Sequence, residues 1–394
     1  MVIICDISAW QYWRTPPIVR DVEIPVQELS ALYQAGLGFP PSLLSARANA
    51  READLLVQDR LLSDLKGLTL PVHVMVDDAA SFHRSELIHP HRIPRALPRD
   101  WIHDLGCGLF VLSPELAVAT HTIKRSTETV AKMAFEACGI FTIRPATERV
   151  DLVIGELDAQ GALDGETDGI YGYSDAQGRP NSPLDSTGEE LSWSPCRDRF
   201  GKLTSMWKRP PLTSIDRIAE AARDAKGVRG VRMARRALSV CRDGAASPAE
   251  VYANLLLCSG TWFGGESWGD PQLNRRIPLT PEAQRIYGRA YCIADMTWDD
   301  RLVDLEVGSL AHHADTRGYR TDSARRAALE CMGYEIPEIN IEQMEDLELF
   351  DAMLPALAKR TGFSLQPRTP AFLKRRDHLH DELFREPYEP DRSS

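Results

Sequence analysis

The sequence predicts an α/β protein, with a mixed α/β N-terminal half followed by an α-β-β-β-α-β core over residues 246–363. Three observations carry most of that prediction, and a further β element is expected between Asn274 and Tyr287. The runs YCIADMTW (291–298) and LVDLEVGS (302–309) alternate in side-chain character with the period of two expected of strands. The segment TDSARRAALECMG (321–333) instead sets Ala324, Ala328 and Cys331 in a row at helical spacing, with Gly333 as a stop. Ahead of both, Ser247-Pro248-Ala249-Glu250 is a helix-start signature, a capping box with proline at the first helical position, in which Glu250 is expected to reach back to the Ser247 N–H.

From the N-terminus, VIIC (2–5) reads as a short strand and SAWQYWR (8–14) as a helix, with Asp6 or Ser8 as its cap and Pro16-Pro17 as its end. Trp10 and Trp13 stand three apart, so they share a face and belong to a core or interface. The run at 45–67 is an amphipathic helix carrying Leu55, Leu56, Leu61, Leu62 and Leu65 on its apolar side. A helix-turn-helix between 25 and 65 is an alternative there, although GLGFPPS fits its tight turn poorly. LPVHVMV (70–76) is a strand. His83, His89 and His91 follow among Arg84, Arg92 and Arg95, but no Cys or carboxylate completes a zinc set at the usual spacing. GLFVLSPELAVATHTI (108–123) is a strand and then a helix that starts at Ser113 with Pro114 in its first turn.

Composition shifts over 151–210, a stretch rich in Gly, Ser, Asp and Pro that reads as an insertion or linker. Residues 211–245 form a basic helical connector, two helices parted by Gly227-Val228-Arg229-Gly230. The second helical stretch bears Arg229, Arg232, Arg235, Arg236 and Arg242, which with Arg275, Arg276 and Arg326 could contact phosphates, against the plainer alternative of a solvated face. Within the core, Pro337 puts the last short strand at a sheet edge or on a bulge. A helix over 341–362 and a charged tail over 364–394 complete the chain.

At 394 residues the chain is long enough for two or three domains. A net charge of −11 argues against avid nonspecific nucleic-acid binding unless a contact surface is locally basic. Eight scattered cysteines without a C-x-x-C pair read as buried free thiols of a reducing compartment. With neither a signal peptide nor an apolar run of about 18 residues, a cytoplasmic protein without a membrane partner is expected.

Acids near the end of one strand (Asp295) and along the next (Asp304, Glu306) suit a divalent-metal site, because Mg²⁺ takes hard oxygen ligands. The plainer alternative is a hairpin whose polar face is wet. The residues D295-M-T-W298, L305-E-V-G-S309, A311-H-H313, D322-S-A-R-R-A-A-L329 and M332-G-Y334 resemble the core of the PD-(D/E)XK nuclease superfamily. They resemble most its very-short-patch-repair-like endonuclease domains, including those fused to AbiEi-like antitoxin regions in actinobacterial proteins. The V-H-V and S-P-E-L runs with F135-E-A-C-G139 are similar to the middle of AbiEi-like proteins, which assigns 1–150 to that region.

This resemblance implies a restriction-endonuclease-like fold and a Mg²⁺- or Mn²⁺-dependent endonuclease acting on nucleic acid, DNA first. Asp295 and Glu306 would then hold the metal, Glu250 would stand beside it, and His312 or His313 and Arg326 would line the site. The implied setting is mobile-element defence or a toxin–antitoxin-like system. The chain departs from the family at Gly308, where relatives carry a second acid, and it has no E-x-K lysine. Two other classes therefore stay open: a catalytically silent regulator that binds DNA or a protein, and a structural interaction protein.

Overall fold

The computed structural model describes residues 1–22, 52–77, 82–121, 126–163, 192–198, 200–308 and 316–384, with side chains for all of these except 316–322. The chain is mixed α/β, with three sheets. Its N-terminal part contains β1 (Val2–Ile4), α1 (Asp6–Arg14), α2 (Pro17–Asp21), α3 (Glu52–Arg60), β2 (Val72–Val76), β3 (Ile88–Arg92), β4 (Ile102–Asp104), β5 (Leu109–Leu112), α4 (Pro114–Thr120) and α5 (Thr127–Cys138). The strands form a five-stranded sheet in the order β3-β2-β1-β5-β4, with β1 parallel to β5 and antiparallel to β2. Then come β6 (Phe141–Ile143), α6 (Glu148–Ala159), β7 (Ser194–Arg197) and β8 (Leu203–Lys208), whose strands make a small antiparallel sheet in the order β6-β8-β7.

The third part runs α7 (Ile215–Asp224), α8 (Val231–Leu238), α9 (Pro248–Cys258), β9 (Gln272–Pro278), α10 (Pro281–Tyr287), β10 (Tyr291–Trp298), β11 (Val303–Gly308), α11 (Thr316–Cys331), β12 (Glu338–Asn340), α12 (Ile341–Glu345), α13 (Leu347–Thr361) and α14 (Pro370–Phe384). Its sheet has the order β12-β11-β10-β9, antiparallel except that β12 runs parallel to β11. The element order expected over 246–363 is present, with α10 added between the first two strands. Strand β12 lies at the sheet edge, as Pro337 required.

One hydrophobic core joins the first and third sheets. It includes Ile3, Ile4 and Trp10, the α5 residues Val130 and Phe135, the α9 leucines and Met296, Leu305 and Val307. Leu255, Leu256 and Leu257 are completely buried, and each stabilises the fold by about 1.5–3 kcal/mol relative to exposure. A buried ion pair also ties α1 to α5, where Arg14 Nε donates to Glu136 Oε1 at 2.9 Å and the same oxygen accepts from Ile143 N at 3.0 Å.

Several expectations are corrected. Helix α1 is capped at Cys5 without a side-chain hydrogen bond. Asp6 already lies in its first turn, and the Ser8 hydroxyl accepts from His73 N instead. Residue 151 falls inside α6, so the compositional change there is not a structural boundary. Helix α11 begins at Thr316, five residues before the segment in which the sequence pattern put the helix. Its packing face is Ala328 and Leu329 against Ile277, Cys292 and Ala294, whereas Cys331 is exposed and Val303, Leu305 and Val307 pack with the α9 leucines.

The helix expected over 341–362 is two helices, because Asp346 caps a new start by accepting from Leu349 N. The supposed tail contains α14, whose Arg376 is completely buried and donates at 2.7 Å to Glu266 and contacts Asp351 at 2.7 Å. An apparently mobile charge run is thus a docked helix, since only an internal carboxylate pair makes a buried guanidinium tolerable. Cys107 and Cys331 are exposed, unlike the other thiols, and Cys196 is intermediate. Most of the helix-turn-helix alternative, all of 164–191, and both His312 and His313 lie outside the described residues.

Candidate active site

The β10–β11 ladder sets Thr297 opposite Asp304 and Met296 opposite Leu305, so Asp295 stands across from Glu306 one step further on. All four polar residues of these pairs share one face, because opposite residues in an antiparallel pair point the same way and the strand period is two. At that step Val307 N donates to Asp295 Oδ2 at 2.8 Å, a side-chain acceptor where a main-chain carbonyl would otherwise stand. The site is therefore a group of three acids, Asp295, Asp304 and Glu306, with Arg325 as its cation.

Arg325 donates through both terminal nitrogens to the two oxygens of Glu306, and Nη1 also donates to Ile293 O at 2.8 Å. The side chains of Arg325 and Glu306 are 21% and 15% exposed, so this fork is largely out of solvent. Asp304 is completely buried, and neither of its oxygens has a hydrogen-bond donor among the described residues. Burial first, then the neighbouring Glu306 carboxylate, push the Asp304 pKa well above the usual carboxylate range. Asp295 is raised for the same reasons in the same order, with Glu250 adding to the repulsion. One guanidinium does not neutralise three carboxylates, so the surplus charge must be met by protons or by a cation.

Glu250 borders this group from the start of α9. Its Oε2 accepts from Ala246 N at 2.8 Å and from Asn274 Nδ2 at 2.5 Å, while Ser247 Oγ donates to Oε1 at 2.9 Å. The capping role is real, but the backbone partner is Ala246 rather than Ser247. Asn274, which holds Glu250, is the β9 residue opposite Asp295 and sits at φ +48°. That left-handed conformation is one asparagine tolerates better than most residues.

Other expected residues lie elsewhere. Arg326 pairs with Glu330 and Glu338 and donates to Ile336 O, away from the acids, because successive helical residues point about 100° apart. The basic strip is broken by internal partners. Arg275 is buried and paired with Asp299, Arg276 lies 4.5 Å from the Tyr291 ring centroid, Arg242 pairs with Asp270, and Arg235 donates to Ala222 O. Arg236 lies 4.7 Å from the Trp262 ring centroid, and Arg229, Arg232, Arg235 and Arg236, on and before α8, are all exposed.

A second constellation, at the N-terminal sheet, corrects the histidine grouping. His83 is exposed and apart, whereas His73, His89 and His91 each place a ligand atom within 4.8 Å of the others. The parallel β2–β3 register sets His73 opposite His89, and His91 lies two residues on, on the same face. Burial, the largest cause for each, lowers the His73 pKa to about 4 and also depresses His89 and His91. The carboxylate that no local spacing supplied is Asp6: its burial works to raise the pKa, but His121, His73 and His91 together lower it to about 2. Alternation in VHVMV could have drawn attention to His73, but nothing local connects it to Asp6 or His121.

No helix among the described residues is long and apolar enough to cross a membrane. Comparison of the chain with protein-family models, curated proteins and solved structures finds no match.

Proposed function

We propose that this protein is a divalent-cation-dependent hydrolase of phosphodiester bonds in nucleic acid, DNA first, working at the Asp295–Asp304–Glu306 group. The observation that carries the proposal is the charge imbalance there: three clustered carboxylates face one arginine, and Asp304 is completely buried with no donor to either oxygen among the described residues. The order of elements from α9 to β12, and the motifs that resemble the PD-(D/E)XK superfamily, support the same reading. Asp295 and Glu306 would hold Mg²⁺ or Mn²⁺, with Asp304 beneath them. A cation bound there supplies Lewis-acid polarisation of a phosphoryl oxygen. Arg325 orients Glu306 by donating to both of its oxygens, and the Asn274–Glu250 contact braces the wall beside Asp295. The defence or toxin–antitoxin setting rests on the resemblance alone.

A binding protein without cleavage activity is the second reading. The two-pronged Arg325–Glu306 pair favours it, because that guanidinium occupies the oxygens a metal would use. Gly308 favours it too, since it puts no carboxylate on the acid face. One experiment decides between them: the protein is incubated with plasmid, single-stranded DNA and RNA under Mg²⁺ and Mn²⁺, beside Asp295→Ala. Metal-dependent cleavage lost in Asp295→Ala supports the hydrolase. Nucleic-acid binding with no cleavage by the native chain rejects it in favour of the binder.

A further inference from the structure

We propose that His73, His89, His91 and Asp6 bind one divalent ion of the zinc class, with His121 as a positioning residue for Asp6. The site is separate from the acid group and stands whether or not that group hydrolyses anything. Its donors are three imidazoles and one carboxylate, a set that suits Zn²⁺, Co²⁺ or Ni²⁺ rather than Mg²⁺, which prefers all-oxygen surroundings.

The geometry is close to what such an ion needs. His73 Nδ1 and His91 Nε2 are 3.0 Å apart. Zinc–nitrogen bonds of about 2.0–2.1 Å at a tetrahedral angle would set two such atoms about 3.4 Å apart. The three rings pack together, with centroids 4.7 Å apart for His73 and His89, 5.2 Å for His73 and His91, and 4.9 Å for His89 and His91. Two imidazole nitrogens aimed at each other cannot both be acceptors, so a proton or a cation must lie between them. Asp6 Oδ2 is 3.7 Å from that same His73 Nδ1; it stands outside the three-histidine group and would have to turn toward the ion to serve as its fourth ligand.

The surroundings hold the carboxylate in place. The other oxygen, Asp6 Oδ1, lies 2.5 Å from Nδ1 of His121, which is completely buried at the end of α4. A ligand carboxylate oriented by an outer imidazole is how proteins fix ligands around a metal. Asp6 also sits at φ +51°, a left-handed conformation rarely kept by a residue that is not glycine unless its surroundings demand it. Cys5 N donates to His73 O at 2.9 Å, which brings the strand-to-helix junction beside the first histidine. The ligands come from β2, β3 and the first turn of α1, so the ion would tie that junction to the edge of the five-stranded sheet. The three histidines are only half-buried, which leaves a path for the ion.

The test uses the full chain, stripped with a chelator and titrated separately with Zn²⁺ and Co²⁺. Bound metal is counted, melting temperature is followed, and the visible absorption of Co²⁺ reports coordination geometry. The expected result is one tight equivalent, a raised melting temperature and tetrahedral Co²⁺ bands, all retained in Asp295→Ala and in His83→Gln. His89→Gln and His91→Gln should lose the equivalent, and His121→Asn should weaken it by about 10–100-fold. An equivalent that survives in both His89→Gln and His91→Gln overturns the site, and so does a native chain that binds no Zn²⁺. Should those variants fail to fold, the native Co²⁺ spectrum decides: octahedral or absent bands reject the proposal and tetrahedral bands uphold it.

Discussion

Replacing Arg325 by methionine tests the charge arrangement of the acid group most directly. The substitution keeps much of the side-chain volume while removing three hydrogen bonds, two to Glu306 and one to Ile293 O. Breaking a buried ion pair by deleting one partner costs about 3–5 kcal/mol, while exposed pairs cost about 0–1 kcal/mol. With the two side chains 21% and 15% exposed, the expectation lies near the lower end of the buried range, about 3 kcal/mol. That corresponds to a melting-temperature drop of roughly 6–12 °C for a domain of moderate size. Removing the arginine also frees both oxygens of Glu306. Mn²⁺ at a hundred times its dissociation constant should then restore about 2.7 kcal/mol. Urea unfolding with and without Mn²⁺, on native and Arg325→Met protein, measures both effects. A loss below about 1 kcal/mol, together with no larger Mn²⁺ response than the native chain shows, would refute the idea that Arg325 holds a place a cation can take.

Three further outcomes are expected. Asp295 and Asp304 have folded pKa values above their unfolded value near 3.9. Their contribution is therefore fully present below about pH 4 and is lost as pH rises through the raised values. Asp304→Asn should flatten that decline in urea titrations between pH 4 and pH 8, and a variant as pH-sensitive as the native chain would contradict the assignment. Arg376→Met should destabilise by about 3–5 kcal/mol, because Glu266 and Asp351 would lose the buried guanidinium between them; protease clipping within α14 is the direct readout. Gly308→Asp should fold normally, since Gly308 pairs with Asn340 in β11 and is not among the positive-φ glycines. Calorimetry should then show tighter Mn²⁺ binding than in the native chain, and an unchanged Mn²⁺ isotherm would remove Gly308 from the account.

Much of the architecture is written locally. The period-two runs around Asp295 and Glu306, the Ser113-Pro114 and Ser247-Pro248 helix starts and the GVRG break each lie within a few residues and appear where their patterns put them. Alternation also sufficed to put Asp304 and Glu306 on one face. What tertiary structure decided are the partners. Arg325 rather than Arg326 reaches Glu306, because where α11 begins and how it packs through Ala328 and Leu329 set which arginine faces the sheet. The Lys374-Arg375-Arg376 run looks like a solvated tail until Glu266, 110 residues earlier, meets Arg376 in the interior. Asp6, His73, His91 and His121 meet because the first turn of α1, β2, β3 and the end of α4 converge, and residues so far apart in the chain leave no spacing to read. Local patterns determine backbone conformation through steric preference and burial periodicity. Which charges meet depends on closing long loops, and only the packed core settles that.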